Sequence, residues 1–213
     1  MITATDLNKA FDRKTLWENL SFTALNGQLT ALTGPSGCGK TTLLNCLGTL
    51  DKPDSGSILV EGREVTTMNA RKTRKFRATH LGYVAQDYAL MDNETVAANI
   101  AVAIPLDQLH KRKQLIASAL KKVGLAGYEK YPAHSLSGGE QQRVSIARLY
   151  VRKPSLILCD EPTGSLDQAN AAIIINALRE QADAGATVVI STHDPKVMDL
   201  CDNHIKLAKK HRS

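Results

Sequence analysis

The stretch Gly34-Pro35-Ser36-Gly37-Cys38-Gly39-Lys40-Thr41 follows the apolar run Leu29-Thr30-Ala31-Leu32-Thr33 and opens into Thr42-Leu43-Leu44-Asn45-Cys46-Leu47. Strand, glycine loop and helix in that order are the context in which G-x-x-x-x-G-K-[ST] cradles phosphate. The glycines let backbone N–H groups converge on an anion with no Cβ in the way, and the helix behind them adds the positive end of its dipole. Lys40 is then placed for the β- and γ-phosphates of a nucleotide, and the Thr41 hydroxyl for Mg²⁺. A plain glycine turn between strand and helix is the structural alternative. With glycine at about 7% of average usage, however, four fixed positions rarely coincide by chance in a chain of 213 residues.

Working outward, a chain of this length buries one sizeable core and has room for one inserted subdomain. Apolar residues make up 43% and charged residues 23%, ordinary values for a folded globular protein. Met1-Ile2-Thr3-Ala4-Thr5-Asp6 has no basic segment followed by an apolar one, so no signal peptide is expected. The weakly polar stretch from Val96 to Leu106 is broken by Asn99 and Pro105 and is too short to span a bilayer. The expectation is a cytosolic protein. Cys38, Cys46, Cys159 and Cys201 contain no C-x-x-C pair, which suggests reduced thiols rather than a zinc site or a disulfide framework.

The net charge is +6. Its cations gather in Arg71-Lys72-Thr73-Arg74-Lys75-Phe76-Arg77, in His110-Lys111-Arg112-Lys113 and in the tail Lys206 to Arg212. Helical basic runs are read as solvated faces. The tail ending Lys209-Lys210-His211-Arg212 could sit against anionic lipid if the protein docks on a membrane.

From the N-terminus, Ile2-Thr3-Ala4, Leu16 to Phe22 and Leu29 to Thr33 read as strands, with Asn26-Gly27 as a hairpin turn between the last two. A small antiparallel sheet leading into the phosphate strand is expected. Phe11 falls in a polar loop after the first strand, where it either anchors the loop or stacks on a base. After the phosphate helix, Leu50-Asp51-Lys52-Pro53-Asp54-Ser55-Gly56 is a turn cluster and Ser57-Ile58-Leu59-Val60 a strand. A basic helix then precedes Leu81-Gly82-Tyr83-Val84-Ala85, a buried strand ending at Gln86. A polar side chain at the C-terminal end of a core strand lies where ligands bind in α/β sheets.

From Asp92 to Val151 the pattern is helical, with Leu109, Ile116, Leu120 and Val123 expected on one face and Gly124 as a stop. In Leu136-Ser137-Gly138-Gly139-Glu140, the Ser137-x-x-Glu140 pair is a capping box that would start any helix. Two glycines in the first turn cost about 1 kcal/mol each relative to alanine, which favours a second anion site of bare backbone. The continuous apolar run Ser155-Leu156-Ile157-Leu158-Cys159 reads as a parallel strand buried on both faces. It ends in Asp160-Glu161, adjacent carboxylates that are costly without a cation and that point to opposite sides of the strand. One suits Mg²⁺ and the other can take a proton from attacking water. Ser165-Leu166-Asp167 precedes a long helix stopped by Gly185. Thr187 to Ser191 is another buried strand, followed by His193 at the same edge as Gln86 and Asp160, a candidate γ-phosphate donor, and by Asp194-Pro195 capping the next helix.

Taken together and in order, these residues resemble the nucleotide-binding subunit of an ATP-binding cassette (ABC) transporter over essentially the whole chain. The resemblance implies an α/β fold: a P-loop NTPase core of mostly parallel sheet, a small N-terminal antiparallel β-subdomain, and an inserted helical subdomain. On that view 1–91 and 152–213 form the nucleotide-binding core and 92–151 the helical insert. It also implies a head-to-tail dimer with ATP and Mg²⁺ sandwiched between Gly34, Pro35, Ser36, Gly37, Cys38, Gly39, Lys40, Thr41 and Thr42 of one copy and Ser137, Gly138 and Gly139 of the other. Phe11 would stack on adenine, Thr41, Gln86 and Asp160 would serve Mg²⁺, Glu161 would be the general base, His193 the γ-phosphate sensor, and Asp167 would communicate across the dimer. Cys38 stands where many members have serine, and a thiol near a helix N-terminus is expected to react with alkylators.

The implied function is ATP hydrolysis that energises a separate transmembrane permease, with this chain peripheral on the inner face of the membrane. No nucleic acid is expected as partner. The turn cluster, Leu81 to Asp87 and Ala89 to Asn99 look like the branch of lipoprotein-release, macrolide-export and antimicrobial-peptide ATPases, including bacteriocin exporters. The alternative is an ABC ATPase acting on DNA or ribosomes, which the positive charge alone supports. A small-molecule P-loop kinase leaves Ser137-Gly138-Gly139 and His193 unexplained.

Overall fold

The computed structural model describes residues 1–11, 14–164 and 166–208. Ser165 and the tail Lys209 to Arg212, named above, lie outside the described residues, as do Asp12, Arg13 and Ser213. In chain order the strands and helices are β1 (Ile2–Phe11), β2 (Lys14–Ala24), β3 (Leu29–Thr33), α1 (Lys40–Leu47), β4 (Ser55–Val60), β5 (Arg63–Glu64), α2 (Ala70–His80), β6 (Leu81–Val84), α3 (Val96–Ala101), α4 (Arg112–Lys122), α5 (Gly138–Arg152), β7 (Leu156–Asp160), α6 (Gln168–Asp183), β8 (Thr187–Ser191), α7 (Pro195–Asp199) and β9 (Asn203–Lys206).

Two sheets result. One is antiparallel with order β2-β1-β4-β5, and the other has order β6-β7-β8-β3-β9 and is parallel throughout. The sequence reason for the second lies in its strands: β3, β7 and β8 are buried at every position, as a sheet covered on both faces requires. Alternation then sends their side chains into two cores. Leu156, Leu158 and Val189 join Ile2, Leu43 and Ile58 beneath the antiparallel sheet and α1. Ile157, Cys159, Val188 and Ile190 join Ile100, Leu120, Ile146 and Leu178 of the helices. α5 packs on α3, α4 and α6.

Three local expectations change. Asn26-Gly27 is not a hairpin: β2 and β3 belong to different sheets, and the Gly27 N–H donates to Ala186 O, which ties the crossing to the residue before β8. The dipeptide has the left-handed propensity for a tight turn, but burial of Leu29 to Leu32 between β8 and β9 takes precedence. Phe11 is not in a loop: it ends β1, paired across the ladder with Lys14, and is half exposed. Leu109 does not share the buried face of α4: it sits in a 3₁₀ segment, Leu106–Lys111, and is 47% exposed, whereas Ile116, Leu120 and Val123 are buried. With three residues per turn, that segment breaks the α-helical phase on which the seven-residue spacing relied.

Candidate active site

Because β3, β6, β7 and β8 are parallel, their C-terminal ends share one edge. There the chain places Gly34 after β3, Gln86 after β6, Asp160 and Glu161 at the end of β7, and His193 after β8. This edge is where an open α/β sheet binds ligands.

The glycine loop is built to close tolerance. Gly34 has φ +150°, and a Cβ there would stand 2.6 Å from Leu207 O and 2.7 Å from Cys38 Sγ. Gly39 has φ +97°, and its Cβ would meet Trp17 Nε1 at 2.9 Å. Glycine is therefore needed at both positions for backbone conformation and for close approach. Lys40 Nζ donates to Gly34 O at 2.9 Å. The Cys38 thiol points inward and is 2% exposed, within the core that holds Leu43 and Leu44. The reactivity raised for Cys38 would therefore require the loop to open, because the side chain is covered where it stands one residue before the N-cap of α1.

Thr41, Gln86 and Asp160, from three separate elements, line one open depression together with Tyr83, Ala85 and Asp87. A hydroxyl, an amide and a carboxylate make an all-oxygen set, which fits Mg²⁺ held by few protein groups and a phosphate. Asp160 is 7% exposed, and Ser191 Oγ donates to its Oδ1 at 2.5 Å. The same Ser191 oxygen accepts from the Glu161 N–H at 3.0 Å. Ser191 thus orients both acidic residues. The sequence signal for it was present, a polar residue closing a buried strand, as at Gln86.

Glu161 has a left-handed backbone, φ +47°. Its Oε2 lies 2.9 Å from His193 Nδ1; the glutamate side chain is 16% exposed and the histidine 74%. The hydrogen bond and the charge of Glu161 hold the His193 imidazole above its ordinary range. The turn after Glu161 is fastened from elsewhere: Gln142 Nε2 donates to Pro162 O at 2.8 Å in a buried contact. Gln142 lies with Ile146 and Leu149 on the buried side of α5, so a polar residue on an apolar face marked it.

At the start of α5 the capping box forms as its sequence dictates. Ser137 Oγ accepts from Glu140 N, and Glu140 Oε2 accepts from the Ser137 N–H at 2.8 Å. The Ser137 N–H and the Ser137 hydroxyl both donate to Oε2 and keep the Glu140 carboxyl below the usual range. A Cβ on Gly138 would stand 2.8 Å from the Tyr88 hydroxyl, and one on Gly139 2.9 Å from the Asn170 side chain. Asn170 in turn bonds the Asp167 carboxylate through both its backbone and its side-chain N–H, and accepts from Arg143. Asp167, the N-cap of α6, is so joined to the Gly139 helix start within one chain. Only the fold brings Asn170, Arg143 and Tyr88 to these places.

A family model described as ABC transporter matches residues 17–164. The chain belongs to the ABC transporter family. The lipoprotein-releasing system ATP-binding protein LolD of Buchnera aphidicola is 38% identical over 206 residues, covering 93% of this chain and 90% of LolD. The macrolide export ATP-binding/permease protein MacB of Salmonella choleraesuis is 39% identical over 183 residues, 85% of this chain but 28% of MacB. Among solved structures, a dimeric post-hydrolysis state of the ATP-binding cassette MJ0796 bound to ADP and Pi superposes with a TM-score of 0.88 at 28% identity. That match covers 100% of this chain and 98% of the other. The chain is an ABC-type ATPase, and the parallel sheet with its antiparallel subdomain is the cassette fold. Among the described residues no helix is long and apolar enough to cross a membrane.

Proposed function

We propose that this ABC ATPase works as a head-to-tail pair of identical chains that drives a separate transmembrane permease from the inner face of the membrane. The supporting observation is the shared edge, where the Gly34 to Thr41 loop, Asp160, Glu161 and His193 converge, while the Ser137 helix start belongs to a different part of the chain, 92–151, read as the inserted helical subdomain. Two anion sites in separate parts of one chain would suit opposite ends of a triphosphate if a second copy supplied one of them.

In this scheme the loop from Gly34 to Thr42 wraps the phosphates, Lys40 neutralises them, and Phe11 stacks on adenine. Thr41, Gln86 and Asp160 would hold Mg²⁺, and that ion would supply positive charge against the phosphates. Glu161 takes the proton of the attacking water, and His193, a hydrogen-bond partner of that carboxylate, turns to the γ-phosphate. Ser137, Gly138 and Gly139 cap the partner's ATP, with Asp167 beside the contact. The likeness to LolD and to the ATP-binding part of MacB supports export or release of a peptide, lipoprotein or antimicrobial compound.

The variant E161Q tests the scheme. It is expected to form an ATP-dependent dimer on size-exclusion chromatography with ATP turnover lost. A monomer in ATP, or turnover at the wild-type rate, refutes it.

A further inference from the structure

We infer that Lys14 is a nucleotide-binding residue, its ammonium contacting the α-phosphate of a nucleotide that spans from Phe11 to the glycine loop. The inference rests on the nucleotide site proposed above and adds a residue that the motifs did not mark.

Lys14 opens β2 and is the direct ladder partner of Phe11. Paired residues in an antiparallel ladder have Cβ atoms about 5 Å apart, so the aromatic ring and the lysine stem rise side by side from the last pair of the β1–β2 ladder. From there Lys14 Nζ reaches the loop and donates to Gly37 O at 2.8 Å. Lys40 makes a matching contact, donating to Gly34 O at 2.9 Å. The loop therefore holds two ammonium groups, each bonded to a carbonyl of a loop glycine. An ammonium carries three N–H donors, so a bond to Gly37 O is compatible with a second bond to a phosphate oxygen.

The position selects which phosphate. With adenine on Phe11 and the β- and γ-phosphates against the loop N–H groups and Lys40, the part of the nucleotide left between them is the ribose and the α-phosphate. Of these only the α-phosphate carries charge, and among the described residues Lys14 is a cation that links Phe11, its ladder partner, to the loop through Gly37 O, while Lys9 Nζ lies 5.1 Å from the centre of the Phe11 ring. The hairpin would then deliver two contacts to one nucleotide, an apolar face for the base and a charge for the first phosphate.

Calorimetric titration of the full chain with ADP, which has the α-phosphate and is not hydrolysed further, tests this. K14M is expected to raise the ADP Kd about tenfold, the order of one charge-assisted hydrogen bond. Its affinity should also fall less with added salt than that of the wild type, because one of the screened contacts is gone. K14R should recover most of the loss. ADP affinity and salt dependence equal to wild type in K14M would overturn the proposal. So would a loss shared equally by K14R and accompanied by a lower Tm without nucleotide, since that pattern belongs to a brace for the hairpin. K40A run beside them separates the two levels. If K40A binds ADP like the wild type, the nucleotide site itself is refuted; if K40A is weakened while K14M is not, only the role of Lys14 fails.

Discussion

Replacing Ser191 with alanine is expected to cost stability and metal response together. The Ser191 side chain is fully buried, donates to Asp160 Oδ1 at 2.5 Å and accepts from the Glu161 N–H at 3.0 Å. The second contact is duplicated, because Glu161 N also donates to Ser191 backbone O at 3.1 Å, so the bond to Asp160 dominates the cost. A hydrogen bond to a charged group contributes about 1.5–3 kcal/mol. Asp160 is only 7% exposed, so little of that is recovered from water. Taking about 2 kcal/mol, and about 2–4 °C per kcal/mol for a chain of this size, S191A should melt about 4–8 °C below the wild type. Loss of the group that orients a metal-binding carboxylate typically weakens the metal by about 10- to 100-fold, so the Mg²⁺ concentration for half-maximal ATP turnover should rise within that range. Differential scanning calorimetry and a Mg²⁺ titration of turnover read the two effects. In a double-mutant cycle with D160N, the coupling should exceed about 1 kcal/mol. A variant that melts within about 1 °C of the wild type with an unchanged Mg²⁺ response would refute the role given to Ser191.

Gly34→Ala places a Cβ 2.6 Å from Leu207 O at φ +150°. Because the obstacle is backbone, the loop must shift, and both thermal stability (by about 2 kcal/mol or more) and ATP affinity should drop; a wild-type melting curve counts against the close approach described. Gln142→Met removes the bond to Pro162 O but also a buried Oε1 that has no partner. The two effects oppose each other, so stability should change by less than about 1.5 kcal/mol, while turnover falls several-fold as the Glu161 turn loses its anchor; equal rates would show that the anchor is dispensable. For His193 the folded imidazole is raised above 6.5 by Glu161. Its pairing therefore contributes fully below pH 6.5 and is lost as pH rises through the raised value. In NMR titrations, E161Q should move the His193 midpoint down toward 6.5, and an unmoved midpoint contradicts the pairing.

Much of the fold was legible because its signals are local. The strand, glycine loop and helix at Leu29 to Leu47 follow from contiguous burial and from glycine's freedom at Gly34 and Gly39. The capping box at Ser137 and Glu140, the Asp194-Pro195 helix start and the doubly buried β7 and β8 depend likewise on neighbours within a few residues, and they form as expected. Where the expectations failed, a distant partner or a local change of helix type was decisive. Asn26-Gly27 turns between sheets because β3 lies between β8 and β9. Leu109 is exposed because a 3₁₀ turn shifts the phase ahead of α4, and Cys38 is covered because the core beneath the loop takes its side chain.

The sequence alone determined the phosphate strand, loop and helix, the capped helix starts, the doubly buried strands and the residue types at their ends, since these follow from contiguous burial, capping chemistry and backbone preference. Only the tertiary structure decided that Ser191 orients Asp160, that Gln142 anchors Pro162, that Asn170 joins Asp167 to the start of α5 and that Lys14 reaches Gly37. Each of those contacts joins residues at least 20 apart, Asn170 with Asp167 aside, between elements brought together by the order β6-β7-β8-β3-β9 and by packing against it. A local pattern records burial and conformation but not the identity of the group on the other side, and the catalytic edge is made of such pairings.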